Sequence, residues 1–233
     1  MKGSLRLLIL IMATTAIFGL ASRAEATPIT YRVMGIASGT IGAQSFTNAA
    51  VTVALEGDTA NVAPETFGGF CPVGVCFVNV GTARVNIAGI GIAVITGCTS
   101  TPACTGLSAI YSFNQPGFPA PFPPIPFVLI ATLDFPPALN EFTGVGAVAS
   151  NSLLGYDLRT PFAVSGSGGV GYADCVGCLL HTTLGDLKFA ANIQQTTTGT
   201  FTATVPEASS LLLFGVGLVG LLGAGLRQQV AKN

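Results

Sequence analysis

AAVTVALEGD, residues Ala49 to Asp58, alternates between apolar side chains on one face of an extended chain and smaller or polar side chains on the other. Val51, Val53 and Leu55 form the apolar face. A period of two is typical of a β-strand that buries one face, so the stretch predicts a strand. Similar stretches recur along the chain and decide the fold class.

The same alternation continues in ARVNIAGIGIAVITG, residues 83–97. Further strands are predicted where short apolar or β-branched runs are bounded by Gly, Pro, Asn or Asp: Thr30–Ser38, Leu107–Phe113, Phe127–Phe135, Asp186–Ile193 and Thr198–Val205. Many short strands without amphipathic helices between them favour antiparallel pairing over a parallel α/β sheet. We therefore predict an all-β fold, an antiparallel β-sandwich of jelly-roll or immunoglobulin-like type, with a barrel as the alternative.

The body of the chain, Thr27 to Pro206, is poor in charge, with eight carboxylates against four basic side chains. This mildly acidic surface lacks the electrostatic footprint of a nucleic-acid-binding protein, so no nucleic-acid partner is expected. About 180 residues suit one domain with a substantial core. Gly, Thr, Ser, Asn and Pro interrupt its apolar runs before they reach a membrane-spanning length.

The first 26 residues are predicted to be a secretory signal peptide. Lys2 and Arg6 precede a largely apolar segment of fourteen residues, which is short of the roughly 20 residues that a membrane-spanning helix needs. Ala24 and Ala26 then form a small-x-small cleavage site, so the mature chain is expected to begin at Thr27. Signal peptidase and the secretion machinery are the partners that this segment implies.

The other end of the chain, residues 205–233, begins with Val205, Pro206, Glu207 and Ala208 and continues into an apolar run. We predict a transmembrane helix over 209–226, because sixteen to nineteen apolar or small residues make about 24 to 29 Å of helix, close to the thickness of the hydrocarbon core. Basic residues follow and are expected to stay cytoplasmic, which leaves the domain, residues 27–204, outside.

This tail resembles that of the PEP-CTERM class of exported bacterial proteins, in which a Val-Pro-Glu-Pro-like motif precedes an apolar helix and terminal basic residues. Val205, Pro206 and Glu207 match the motif, and Ala208 stands where the class usually has a second proline. The resemblance implies sorting by an exosortase-type peptidase in a Gram-negative envelope, usually alongside exopolysaccharide production. It further implies an inner-membrane anchor before processing and a cell-surface or extracellular location afterwards.

Six cysteines lie as near neighbours in sequence: Cys71 with Cys76, Cys98 with Cys104, and Cys175 with Cys178. Export places them in an oxidising compartment, so disulfides are the first interpretation. Local pairing is the simplest arrangement, but six cysteines allow fifteen connectivities and the sequence does not choose among them. A zinc site would need ligand pairs at unusual spacing, and no metal site is predicted.

Residues that could support catalysis are few and scattered. His181 is the single histidine, so any triad must use it, and no GxSxG elbow surrounds a serine. Glu56 and Asp58 could form a carboxylate pair, but EGDTAN is as consistent with a solvated strand end. GSGGVG, residues 166–171, matches a dinucleotide pattern, yet no amphipathic helix follows it, which favours a flexible turn. No catalytic residue or cofactor is predicted.

The sequence therefore favours an exported, exosortase-sorted surface or matrix protein, associated with biofilm or exopolysaccharide, that is not an enzyme. The first alternative is a polysaccharide-binding β-sandwich module that uses phenylalanine and tyrosine exposed on one sheet face. The second alternative is an exported hydrolase. Exopolysaccharide is accordingly a candidate partner in addition to the sorting peptidase.

Overall fold

The computed structural model describes residues 27–65, 76–99, 108–113, 126–133, 142–173, 179–191 and 197–206. These residues form twelve strands: β1 (Pro28–Ile41), β2 (Gln44–Asp58), β3 (Ala63–Glu65), β4 (Cys76–Ile87), β5 (Gly91–Thr99), β6 (Ser108–Phe113), β7 (Phe127–Leu133), β8 (Phe142–Ala149), β9 (Phe162–Ala173), β10 (Leu179–Thr182), β11 (Gly185–Phe189) and β12 (Thr198–Thr204). Two short 3-10 helices cover Thr59–Asn61 and Asn151–Leu153. Within the described ranges no helix is long and apolar enough to cross a membrane.

The strand pairings are antiparallel throughout the described sheet, so the prediction of an all-β antiparallel fold is confirmed. The alternation of Ala49 to Asp58 places Val51 opposite Ile87 and Val53 opposite Val85, with all four side chains buried. The finer prediction of a two-layer sandwich is not settled by the pairings, because the strands form one continuous hydrogen-bonded sheet.

That sheet closes on itself in two circuits, because its longest strands change partners along their length. Residues 30–34 of β1 pair with β12, whereas residues 39–41 pair with β11. Residues 76–81 of β4 pair with β6, whereas residues 84–87 pair with β5. One circuit therefore contains β4, β2, β1, β12, β9, β8, β7 and β6, and the other contains β1, β2, β4, β5, β10 and β11.

The main core lies inside these circuits and is filled by every second residue of the strands. Ile29, Tyr31 and Val33 of β1 are buried to 1% exposure or less, and Phe201 of β12 is fully buried beside them. Apolar burial of this kind is the main driving force for folding. The inward period of two is therefore what fixes the register of the sheet.

A buried hydrogen-bond network ties β1 to the loops at one end of the domain. The Tyr31 hydroxyl donates to the backbone oxygen of Leu158 (2.5 Å), and Asn79 Nδ2 donates to the Tyr31 oxygen (2.7 Å) and to the backbone oxygen of Asp58 (3.0 Å). Burial raises the pKa of Tyr31 to about 12, because the charged phenolate would lose its hydration. The network therefore fixes this end of the fold with the phenol neutral.

Candidate functional site

The chain enters and leaves the domain at the same end of the sheet. β1 begins at Pro28 and β12 ends at Thr204, and the two strands are antiparallel neighbours with Thr30 directly opposite Thr204. Thr27, where the mature chain is predicted to begin, therefore lies near the start of the predicted sorting tail. Two segments that are more than 170 residues apart in sequence meet here.

The end of β12 is held in place by side-chain contacts as well as by strand pairing. Arg32 Nη1 donates to Thr204 Oγ1 (3.2 Å), and that hydroxyl donates in turn to the backbone oxygen of Thr30 (3.5 Å). Val205 packs half-buried against the main core, and Pro206 is exposed. The described fold thus includes the first residue of the predicted motif.

The beginning of β1 is held by the neighbouring 3-10 helix. The Thr27 nitrogen donates to Thr59 Oγ1 (3.3 Å), and the Thr59 nitrogen donates to the backbone oxygen of Thr27 (3.0 Å). Asp58 caps this helix, because its carboxylate accepts from the backbone nitrogen of Ala60 (2.8 Å). The residue predicted to start the mature chain is therefore already part of the fold.

The described all-β domain leads from the last residue of β12 directly into the predicted sorting motif. The family model of the PEP-CTERM protein-sorting motif matches residues 204–228. The resemblance is therefore confirmed, and the chain carries the motif of exported proteins that are membrane-anchored before cleavage by an exosortase. Comparisons with curated proteins and with solved structures find no match.

The match begins at Thr204, the last residue of β12. Val205 and Pro206 are the described part of the predicted motif, whereas Glu207, Ala208 and the predicted helix over 209–226 lie outside the described residues. The predicted signal peptide with Ala24 and Ala26 also lies outside them. Their assignments stay predictions.

The two carboxylates that the sequence singled out have separate partners. Glu56 Oε2 lies 3.1 Å from Arg84 Nη2, across the β2–β4 pairing, and both side chains are about half exposed. Asp58 serves as the helix cap described above. The pair therefore lies at a solvated strand end, in agreement with the second of the two interpretations of EGDTAN.

His181 lies on β10 in a surface hairpin, where its Nδ1 is 2.7 Å from Asp186 Oδ1 on β11. The side chains are 45% and 54% exposed. A histidine–carboxylate pair orients the base in hydrolases, but those pairs are placed in clefts and are largely buried. This pair instead joins the two strands of an exposed hairpin.

GSGGVG does not form a flexible turn, so that interpretation of the sequence was wrong. Its six residues lie inside β9, where Gly168 has φ +121° and a Cβ there would collide with the backbone oxygen of Ala147. Thr197 Oγ1 donates to the Gly168 oxygen (2.6 Å). The glycines are needed because β9 changes partner from β12 to β8 at this point, with backbones in close contact.

Two of the six cysteines lie on described strands. Cys76 starts β4 opposite Phe113 and is 1% exposed, and Cys98 lies on β5 opposite Leu180. Cys76 is not a free thiol. Cys71, Cys104, Cys175 and Cys178 lie outside the described residues, so the connectivity stays a prediction. Within the described ranges no group of three or more His, Cys, Asp or Glu could hold a metal ion.

A groove at the opposite end of β1 is a feature that sequence reasoning missed. It has a volume of about 290 Å³ and a mostly apolar exposed lining, to which Phe46, Phe189 and Ala190 contribute. Hydroxyl groups and one described cation also line it, from Ser38, Thr40, Ser45, Thr47 and Lys188. A smaller depression of about 180 Å³, lined by Asn48 and Thr197, adjoins it. The residues come from strands far apart in sequence, so no local sequence motif predicts the groove.

Proposed function

We propose that the chain is a non-enzymatic surface or matrix protein whose β domain is exported, held at the inner membrane, and released or attached outside after an exosortase cuts its tail. The match of the sorting motif directly after β12 is the observation that carries this proposal. The domain is then the delivered part, and the two ends of the chain are its delivery signals.

The distance between domain and membrane follows from the chain length. Glu207 and Ala208 separate Pro206 from the predicted helix at 209–226, and two extended residues span about 7 Å. The end of the domain that bears Thr27 and Thr204 would therefore face the membrane before processing. The groove, at the other end of β1, would face away from it.

The proposal of a non-enzymatic role is supported by how the candidate catalytic side chains are used. Glu56 pairs with Arg84, Asp58 caps a helix, and His181 pairs with Asp186 on a surface hairpin. Each interaction has a structural use, and His181 on β10 lies on a different strand from Glu56 and Asp58 of β2.

The sorting step is tested by substituting Pro206→Ala and Glu207→Ala together in the native cells. We expect the full-length precursor to accumulate in the inner membrane, because the peptidase loses the residues that define its motif. The chain offers a matched control, since Pro64 and Glu65 form the same dipeptide in β3. Maturation that continues normally in the first variant, with the Pro64→Ala and Glu65→Ala control also mature, would contradict the proposal.

A second candidate function is polysaccharide binding, and the groove at the end of β1 is the observation that favours it. Every phenylalanine and tyrosine side chain whose burial the structure describes is buried or half-buried, so the exposed aromatic platform expected from the sequence does not occur among them. A mostly apolar cleft with a few hydroxyls and Lys188 would instead bind sugar hydroxyls and carboxylates by hydrogen bonds at those polar groups.

Binding is measured with the processed protein and the acidic polysaccharide of the producing cells. We expect Lys188→Gln to weaken the complex severalfold and Arg84→Gln, a cation far from the groove, to leave it unchanged. Equal affinities of both variants and the wild type would rule out the groove as the binding site.

A further inference from the structure

The first residue matched by the sorting motif is also a paired residue of the folded sheet. Thr204 lies opposite Thr30, and its hydroxyl bonds to both Arg32 and the Thr30 backbone. A protein that binds an extended peptide usually does so through the main-chain hydrogen bonds of that peptide. At the end of β12 those bonds are already used by β1.

We propose that the end of β12 is part of the surface that the sorting peptidase engages, and that this strand end must detach from β1 before the tail is cleaved. The inference rests on the proposed function, because it concerns the same cleavage. The contacts of Thr204 with Thr30 and Arg32 limit the access of the peptidase to the motif.

The detachment is local and does not require the domain to unfold. Strand ends open with free energies far below that of global unfolding. When opening and closing are faster than cleavage, the cleavage rate follows the population of the open form. Each contact at Thr204 therefore slows processing by a factor that rises exponentially with the free energy of that contact.

Loosening the strand end is the first arm of the test. Arg32→Ala removes the hydrogen bond to Thr204 from a side chain on the outer face of β1, so the core is unaffected. We expect processing to accelerate about two- to tenfold, the range that one hydrogen bond allows. Arg84→Ala, which removes an arginine from another outward position, is the matched control and should process as the wild type. Equal rates for both variants would contradict the proposal.

Locking the strand end is the second arm. Thr30→Cys with Thr204→Cys places two cysteines at directly opposed positions, whose Cα separation of about 4.5 to 5.5 Å permits a disulfide. We expect processing to slow by about tenfold or more and to recover on mild reduction. Thr52→Cys with Asn86→Cys locks β2 to β4 instead and is the control for the added crosslink, and Thr204→Cys alone is the control for the changed motif.

A spacer separates restricted access from other effects of the lock. Six Gly-Ser residues inserted between Thr204 and Val205 of the locked chain move the motif away from the sheet, so processing should return to within about twofold of the wild type. Processing of the locked chain at the control rate, or a spacer that restores nothing, would overturn the inference. A failure of the proposed function is distinguishable from a failure of this inference. If no exosortase cleaves the tail, adding Pro206→Ala and Glu207→Ala to the spacer variant would leave its processing rate unchanged.

Discussion

The Tyr31 hydroxyl joins four parts of the chain that the sequence keeps far apart. It bonds to Leu158 and Asn79, and Asn79 in turn bonds to the Asp58 backbone beside the 3-10 helix. Tyr31 is fully buried, so each of these polar groups depends on the others for a partner. This network stabilises the end of the domain at which the chain enters and leaves the sheet.

Replacing Tyr31 by phenylalanine should lower the free energy of unfolding by about 1 to 3 kcal/mol, because the Leu158 oxygen then loses its buried donor. Tyr156→Phe is the comparison, since its hydroxyl donates to the Thr160 oxygen (3.1 Å) in a partly buried position and should cost less. Urea unfolding followed by fluorescence measures both. A neutral Tyr31→Phe change would mean that the network does not contribute to stability.

The raised pKa of Tyr31 predicts a loss of stability in alkali. The phenol titrates at 10.0 in the unfolded chain and at about 12 in the fold, so between these values the unfolded state releases a proton that the folded state keeps. The stabilisation is complete below pH 10 and is lost as the pH rises towards 12. The free energy of unfolding, measured at pH 8, 10 and 11, should fall more steeply with pH for the wild type than for Tyr31→Phe. Parallel slopes would contradict this assignment.

Gly81 is required by close packing and not by its backbone angle. A Cβ at this position would meet the backbone oxygen of Glu56, so Gly81→Ala should destabilise the fold by about 3 kcal/mol. Gly155 has open space around a Cβ but φ +78°, so Gly155→Ala should cost about 1 kcal/mol. Thermal unfolding of the two variants gives the order, and an equal loss would contradict the packing argument.

β12 illustrates what the sequence predicts well. The predicted strand Thr198–Val205 agrees with the observed Thr198–Thr204 to within one residue, because apolar and hydroxyl side chains alternate along it. β9 illustrates the opposite case. Its glycines carry no periodic signal, and because the strand is held by backbone contacts with its neighbours, its sequence alone predicts a turn.

The alternation along β12 also gives a direct test of its orientation. Phe201 is fully buried, whereas Thr202 faces outwards. Phe201→Ala should cost about 3 to 5 kcal/mol and Thr202→Ala less than about 1 kcal/mol. Chemical denaturation of the two variants measures both losses of unfolding free energy. Similar losses would contradict the assigned orientation of β12.

The meeting of the two ends is a property of the whole molecule that no local pattern contains. The sequence predicts a signal at each end and the boundaries of the domain, since each has its own composition, and the family model confirms the C-terminal motif. It did not reveal that β1 and β12 are neighbours, because that pairing depends on how the intervening ten strands close the sheet. The groove at the end of β1 was missed for the same reason.

Under the proposed function, this arrangement lets one domain carry two membrane signals in succession. Because β1 and β12 are adjacent strands with Thr30 opposite Thr204, the domain would present the same end to the membrane while the predicted signal peptide is removed and while the tail remains anchored. The distal end of β1 and its groove would then face away from the membrane.

Terminal-peptide and intact mass spectrometry of the wild-type protein, recovered from each fraction of its native cells, tests this account most directly. We expect a chain that begins at Thr27, ends close to Pro206 and is found outside the inner membrane. A chain that still ends at Asn233 and remains in the inner membrane in every fraction would contradict the account, because the tail would then be a permanent anchor.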